Sequence, residues 1–326
     1  PDDVPAQTIN RFCSSGLQAI STAVNAITAG QYKVAVAGGC EYMTGCFTPY
    51  DFATYGDKWI MDNYPGGYMS MGQTAENVAN DYGFTREQMD EMALESHTRA
   101  AQARKNGKLA PSIIPYTKED GTVVDYDDGI LAELDGTLKT SMEKMAGLKT
   151  CFVAAEDGGK VTAATSSQTT DAASYVMIMD SDFAAEHGIK PIAKMIAFQV
   201  AGCDATRMGM GPVYAIPEAL KQAGMTSVKD LDVIELNEAF ASQAMACVKN
   251  VVKNPMLDGF QEMWDTKKVN PYGGAMALGH PMGATGAFLT CKVLDYLRDP
   301  ETAGKHGMVT MCIGGGMGAA GIYELL

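Results

Sequence analysis

Apolar residues along this chain alternate with polar ones in short runs and recur at helical spacing in longer ones, and the two patterns take turns. Val4 to Phe12 alternates and ends in β-formers, which predicts a strand. Leu17 to Ala29 is rich in Ala, Leu and Ile with few charges, which predicts a buried helix. Lys33 to Ala37 reads as a second strand ending at Gly38-Gly39. Thr74 to Tyr82 reads as an amphipathic helix. Thr85 caps another helix through about Lys105, with Gln88 in capping-box spacing. Lys160 to Thr165 and Ser174 to Asp180 are core-like. Ile192 to Val200, Asp232 to Leu236, Met308 to Ile313 and Ala319 to Leu325 follow as strands. Helices are expected at Val213 to Ala223, from about Glu238 to Val252, and at Gly283 to Arg298. Strands alternating with helices predict α/β layers in which helices cover a sheet.

The alternation breaks from about Cys46 to Gly159. Aromatic, Gly- and Asp-rich segments between Tyr50 and Tyr68 and a polar stretch from Asp125 to Thr150 mark an inserted subdomain. A chain of 326 residues is long enough for two domains or one large α/β unit. Lys and Arg number 25 against 39 Asp and Glu, a net charge of −14, which argues against nucleic acid and anionic membrane surfaces as partners. An anionic ligand would need a local basic patch. The eight cysteines lack CxxC spacing and zinc-type clustering, so the sequence indicates neither a metal site nor a disulfide framework, and a reducing cytoplasm is expected. No apolar run reaches the ~18 residues of a membrane-spanning helix, and no signal peptide is visible.

Four segments carry candidate chemistry. Cys13, in Arg11-Phe12-Cys13-Ser14-Ser15-Gly16, stands where the predicted strand turns into a helix, among unpaired N–H groups that favour a thiolate. His280, one of four histidines, lies in Gly273-Gly274-Ala275-Met276-Ala277-Leu278-Gly279-His280-Pro281, whose glycines admit a ligand or a backbone. Cys312 ends an apolar strand at Cys312-Ile313-Gly314-Gly315-Gly316-Met317-Gly318. Asn237 opens Asn237-Glu238-Ala239-Phe240-Ala241 and could also cap the following helix. Too few residues follow Gly318 for the glycine run to be a dinucleotide-binding loop.

In this order the four motifs resemble the thiolase family, from about Pro5 to Leu326. The Cys13 segment is closest to the degradative branch, the 3-ketoacyl-CoA thiolases. The resemblance implies an α/β thiolase fold of two βαβαβαββ-type halves in layered packing. The N-terminal half would comprise 1–45 and 160–183, the inserted loop domain 46–159, and the C-terminal half 184–326. It also implies that the first half is incomplete at its N-terminus, since only twelve residues precede Cys13.

The implied activity is that of an acetyl-CoA C-acyltransferase: CoA-dependent cleavage of 3-ketoacyl-CoA to acetyl-CoA and a shortened acyl-CoA, or the reverse condensation, by a ping-pong route. Cys13 matches the nucleophile that becomes acylated, His280 the histidine that activates it, and Cys312 the acid and base. Asn237 matches the residue that fixes a water in one oxyanion hole. The N–H groups of Cys13 and Gly314 match the other hole. Ser167 matches the serine meeting the pantetheine arm, although Thr165 stands where Asn is usual and Ala172 where Gly is usual. Met71 matches a contact to the acyl pocket, and Lys149 is a candidate for the CoA phosphates. CoA is a substrate, no tightly bound cofactor is implied, and a homodimer or homotetramer is expected if the N-terminal segment is present. Rival readings are a biosynthetic acetoacetyl-CoA thiolase and a non-catalytic thiolase-like lipid- or CoA-binding protein. A β-ketoacyl synthase would need a second histidine where Cys312 stands.

Overall fold

The computed structural model describes residues 2–46, 56–64 and 66–326, so the aromatic segment from Tyr50 to Tyr68 lies partly outside it. Eight strands are described: β1 Val34–Glu41, β2 Tyr116–Thr117, β3 Val123–Val124, β4 Ala172–Met179, β5 Ala193–Gly202, β6 Val233–Leu236, β7 His306–Ile313 and β8 Met317–Leu325. Four of them form a sheet in the order β5-β8-β7-β6, in which β6 and β7 run parallel and the other neighbours antiparallel. β1 pairs antiparallel with β4, across an excursion of the chain that contains the β2–β3 hairpin.

Alternation along the four-stranded sheet assigns its two faces. Val233, Val309, Met311, Ala319 and Tyr323 cluster with Leu289, Val293 and Leu297 of the helix Met282–Arg298 and with Leu17 of the helix Ser15–Thr28. Ile234, Leu236, Met308, Ala320 and Ile322 join a cluster on the opposite face with Ile216 and Leu220 of the helix Gly211–Gln222. The helices Ser15–Thr28 and Met282–Arg298 also pack on β1 and β4, so they form a buried layer between two sheets.

Small residues make that layer possible. A β-carbon at Gly286 would fall 2.2 Å from the Leu17 amide nitrogen, and one at Gly39 would fall 2.1 Å from the Gly283 carbonyl oxygen. The glycines flanking His280 on its helix side therefore serve backbone approach. β1 continues through Gly38 and Gly39 to Glu41, beyond the end predicted at Ala37: Gly38 lies against Ser174 and Tyr175 of β4, and Gly39 against Gly283 of this helix. The Glu41 carboxylate then accepts a hydrogen bond from Gly283 N at 2.8 Å, covering an N–H group at the helix start.

The helix Arg86–Lys105 begins with the expected capping box between Thr85 and Gln88. Two predicted elements differ. The strand predicted over Val4 to Phe12 is absent: the segment has no ladder partner among the described residues, is largely exposed as far as Asn10, and enters a 3-10 turn at Phe12. The helix expected from about Glu238 spans only Ala241–Val248, with Phe240 at its N-cap, so Asn237 does not cap it. The reason is a competing backbone pairing. Ser167 N donates to Ala239 O and Ala241 N to Thr165 O, both at 2.9 Å. No helix among the described residues is long and apolar enough to cross a membrane.

Candidate active site

Cys13 lies in a 3-10 turn, Phe12–Ser14, immediately before the helix Ser15–Thr28. Phe12 has φ +44°, a left-handed conformation uncommon for a bulky residue, and its N–H donates to Asn10 Oδ1 at 2.9 Å. This kink turns Cys13 inward while the Phe12 side chain stays exposed. The Cys13 sulfur accepts hydrogen bonds from its own N–H and from Gly314 N–H, both of which favour the thiolate. Burial is the larger effect and pushes the thiol above its ordinary range. Burial thus works against the thiolate that the helix-start N–H groups favour.

Asn237 and His280 meet beside it. Asn237 follows β6, and its N–H donates to Thr310 O at 2.9 Å, which sets it next to the strand carrying Cys312. Asn237 Nδ2 lies 3.5 Å from His280 Nε2. An amide nitrogen can only donate, so Nε2 is the acceptor and the ring proton sits on Nδ1, where Thr285 Oγ1 receives it at 2.6 Å. Burial lowers His280 to about 4, leaving it a neutral base at physiological pH. The helix that His280 precedes packs on the Phe12–Ser14 turn, bringing the histidine loop to the nucleophile.

Cys312, fully buried on β7, is also raised well above its ordinary value, first by burial and next by the neighbouring Cys13. Cys13 is thus near enough to disfavour ionisation of Cys312. After β7 the chain turns through Gly315 and Gly316, both with φ near +85° (84° and 86°), which presents Gly314 N–H to Cys13. A β-carbon on Gly314 would stand 3.3 Å from the Met71 sulfur, and Met71 packs with Cys312, Met208 and Phe240. Met71 therefore borders the thiol pair.

Ser167 is half-buried on the segment stitched to Ala239–Ala241, next to the Asn237 motif. The departure at Thr165 is accommodated: its Oγ1 accepts from Thr162 N at 2.8 Å and closes the loop. Ala172 starts β4 opposite Glu41. Lys149 is exposed, just upstream of Phe152. Sequence reasoning missed two residues that hold the histidine. Thr285 could have been found by projecting the first helical turn beyond His280. Gln168, whose carbonyl accepts from His280 N at 3.1 Å and whose amide donates to Met276 O at 3.0 Å, gave no local signal.

The sequence matches the thiolase N-terminal domain over residues 1–182 and the thiolase C-terminal domain over residues 189–325. The 3-ketoacyl-CoA thiolase of Bacillus subtilis is 41% identical over 337 residues, spanning 100% of this chain and 80% of that protein. The dimeric peroxisomal thiolase of Saccharomyces cerevisiae superposes with a TM-score of 0.85 at 33% identity, covering 98% of this chain and 76% of that one. Human mitochondrial 3-ketoacyl-CoA thiolase in complex with CoA gives a TM-score of 0.84 at 32% identity, covering 100% and 79%. With both halves matched in order and the fold shared, this chain belongs to the thiolase family.

Proposed function

We propose that this chain is an acetyl-CoA C-acyltransferase that cleaves 3-ketoacyl-CoA with CoA. The observation that carries the reading is the meeting of Cys13 with Gly314 N–H and Cys312 beside the Asn237–His280 pair. His280 Nε2 takes the Cys13 proton, and the sulfur attacks the 3-keto carbon, whose oxygen gains charge facing the Cys13 and Gly314 N–H groups. The bond between the second and third carbons breaks, and its electron pair passes to the acetyl-CoA enolate, which Cys312 protonates. The acyl group is then a thioester on Cys13. Incoming CoA gives its thiol proton to Cys312 and attacks that thioester, and Cys13 leaves as a thiolate that takes its proton back from His280.

His280 and a water fixed by Asn237 hold the thioester oxygen of the enolate, Met71 borders the acyl chain, Ser167 meets the pantetheine arm, and Lys149 reaches the phosphates. Of these, Lys149 has the least support, since it stands in solvent. The partition into halves 1–45 with 160–183 and 184–326, around an inserted 46–159, is part of the same reading and is supported by the pairing of β1 with β4. So are a role in fatty-acid β-oxidation, a homo-oligomeric state and a cytoplasmic location. The seven described cysteines, all free, suit a reducing compartment.

The test is intact and peptide mass spectrometry after mixing with acetoacetyl-CoA, beside Cys13→Ser. One acetyl adduct on the Cys13 peptide, absent from the variant, is expected. A folded protein that gives no adduct overturns the reading.

A further inference from the structure

Glu238 follows Asn237 directly, yet its side chain turns away from the thiols into a fully buried polar cluster. Its Oε1 accepts from Asn270 Nδ2 at 2.7 Å. Its Oε2 accepts from Ser96 Oγ at 2.6 Å and from Met276 N at 3.5 Å. Three donors and no acceptor surround the carboxylate, a set that only an ionised acid satisfies completely.

Each partner carries a piece of the site. Asn270, with φ +47°, grips the strand end: its Oδ1 accepts from Leu236 N and its Nδ2 donates to Leu236 O, both at 2.8 Å. Ser96 comes from the helix Arg86–Lys105, and its Oγ accepts from Gly274 N at 3.0 Å. A β-carbon on Gly274 would fall 2.1 Å from the Glu238 carboxyl carbon, so the turn is packed down on the acid. Met276 lies in the short helix Ala275–Leu278 that leads to His280.

We propose that Glu238 is a positioning residue, its carboxylate fixing the turn that carries His280 to the strand end that carries Asn237, and so setting the Asn237–His280 separation. This rests on the roles proposed above for those two residues. A shift of about 1 Å in such a pair can lower a rate roughly 100-fold. The pair serves the carbon–carbon step through the enolate oxygen. Exchange of acetyl between acetyl-CoA and dephospho-CoA uses His280 as the base and the Cys13 and Gly314 N–H groups, but forms no enolate for the Asn237–His280 pair to hold.

The experiment compares Glu238→Gln, and Ser96→Ala as the gentler variant, in acetoacetyl-CoA thiolysis, acetyl exchange and thermal unfolding. Glu238→Gln puts an NH2 where a donor already points. Thiolysis kcat is expected to fall about 10- to 100-fold, with KM within about threefold and exchange at least about tenfold less affected. Ser96→Ala should move in the same direction by a smaller factor, and it alone decides if Glu238→Gln does not fold. Parallel loss of both activities, or no loss in either, overturns the inference while wild-type thiolysis stands. Wild-type protein that forms no acetyl-Cys13 overturns the functional reading and this inference with it.

Discussion

Thr285 Oγ1 lies 2.6 Å from His280 Nδ1, on the first turn of the helix that His280 precedes. With the Asn237 amide donating to Nε2, Thr285 Oγ1 is the acceptor that holds the Nδ1 proton and leaves Nε2 as the base. Thr285→Val keeps the shape and removes the acceptor. An unpaired buried donor costs ~1–3 kcal/mol, so thiolysis kcat is expected to fall about tenfold or more. Thr285→Ser should retain most of the rate. Steady-state kinetics on the two variants check this.

Because burial holds Cys13 above its ordinary value of 9.0, the thiolate is scarce at neutral pH. The rate of Cys13 alkylation by iodoacetamide without substrate should climb about tenfold per pH unit from pH 7 to 9 with no plateau. A plateau near pH 7 would show that the N–H donors outweigh burial. Peptide mass spectrometry over time reads the rate.

His280 and His97 are both lowered to about 4 by burial, from 6.5. Between those values the unfolded chain binds more protons, so each contributes stability that is present above pH 6.5 and lost as pH falls towards 4. The contribution is roughly 3 kcal/mol per histidine. Glu235, raised to about 7 from 4.5, works in the opposite direction over an overlapping window and offsets part of this. Urea unfolding midpoints should drop from pH 6.5 to 4.5, and His97→Gln should flatten the slope.

Lys292 Nζ pairs with Glu235 Oε2 at 2.7 Å and donates to Gly273 O at 2.6 Å, all fully or nearly fully buried. Lys292→Met leaves Glu235 without its cation and is expected to cost about 3–5 kcal/mol. Adding Glu235→Gln should recover a large part, because the uncompensated charge disappears. Chemical denaturation of the single and double variants measures the recovery.

At Gly286 a methyl group would meet the Leu17 backbone at 2.2 Å, where neither helix can yield without moving the other. Gly286→Ala is expected to destabilise by roughly 1–3 kcal/mol. It should also reduce acetylation of Cys13, since the two helices present Cys13 and His280. A normal acetylation yield in the folded variant would separate packing from catalysis.

The helices, most strands and the chemical groups were legible in sequence because they rest on local rules. The capping box at Thr85 and Gln88 and the runs feeding Cys312 are examples. Val4 to Asn10 misled because alternation describes a strand's faces and says nothing about whether a ladder partner is present. The segment after Asn237 misled because Thr165–Ser167 claims its backbone groups from far along the chain.

The sequence by itself determined which groups could react: two cysteines, a histidine and an asparagine, each in its own motif. Only the tertiary structure decided their protonation and their partners. Burial depends on what packs around a group, and it outweighs the helix-start N–H groups at Cys13 and keeps His280 neutral. The parts played by Gln168 and Glu238 became visible only when the folded backbone brought them to the histidine and its turn, since hydrogen bonds act over about 3 Å in space whatever the separation along the chain.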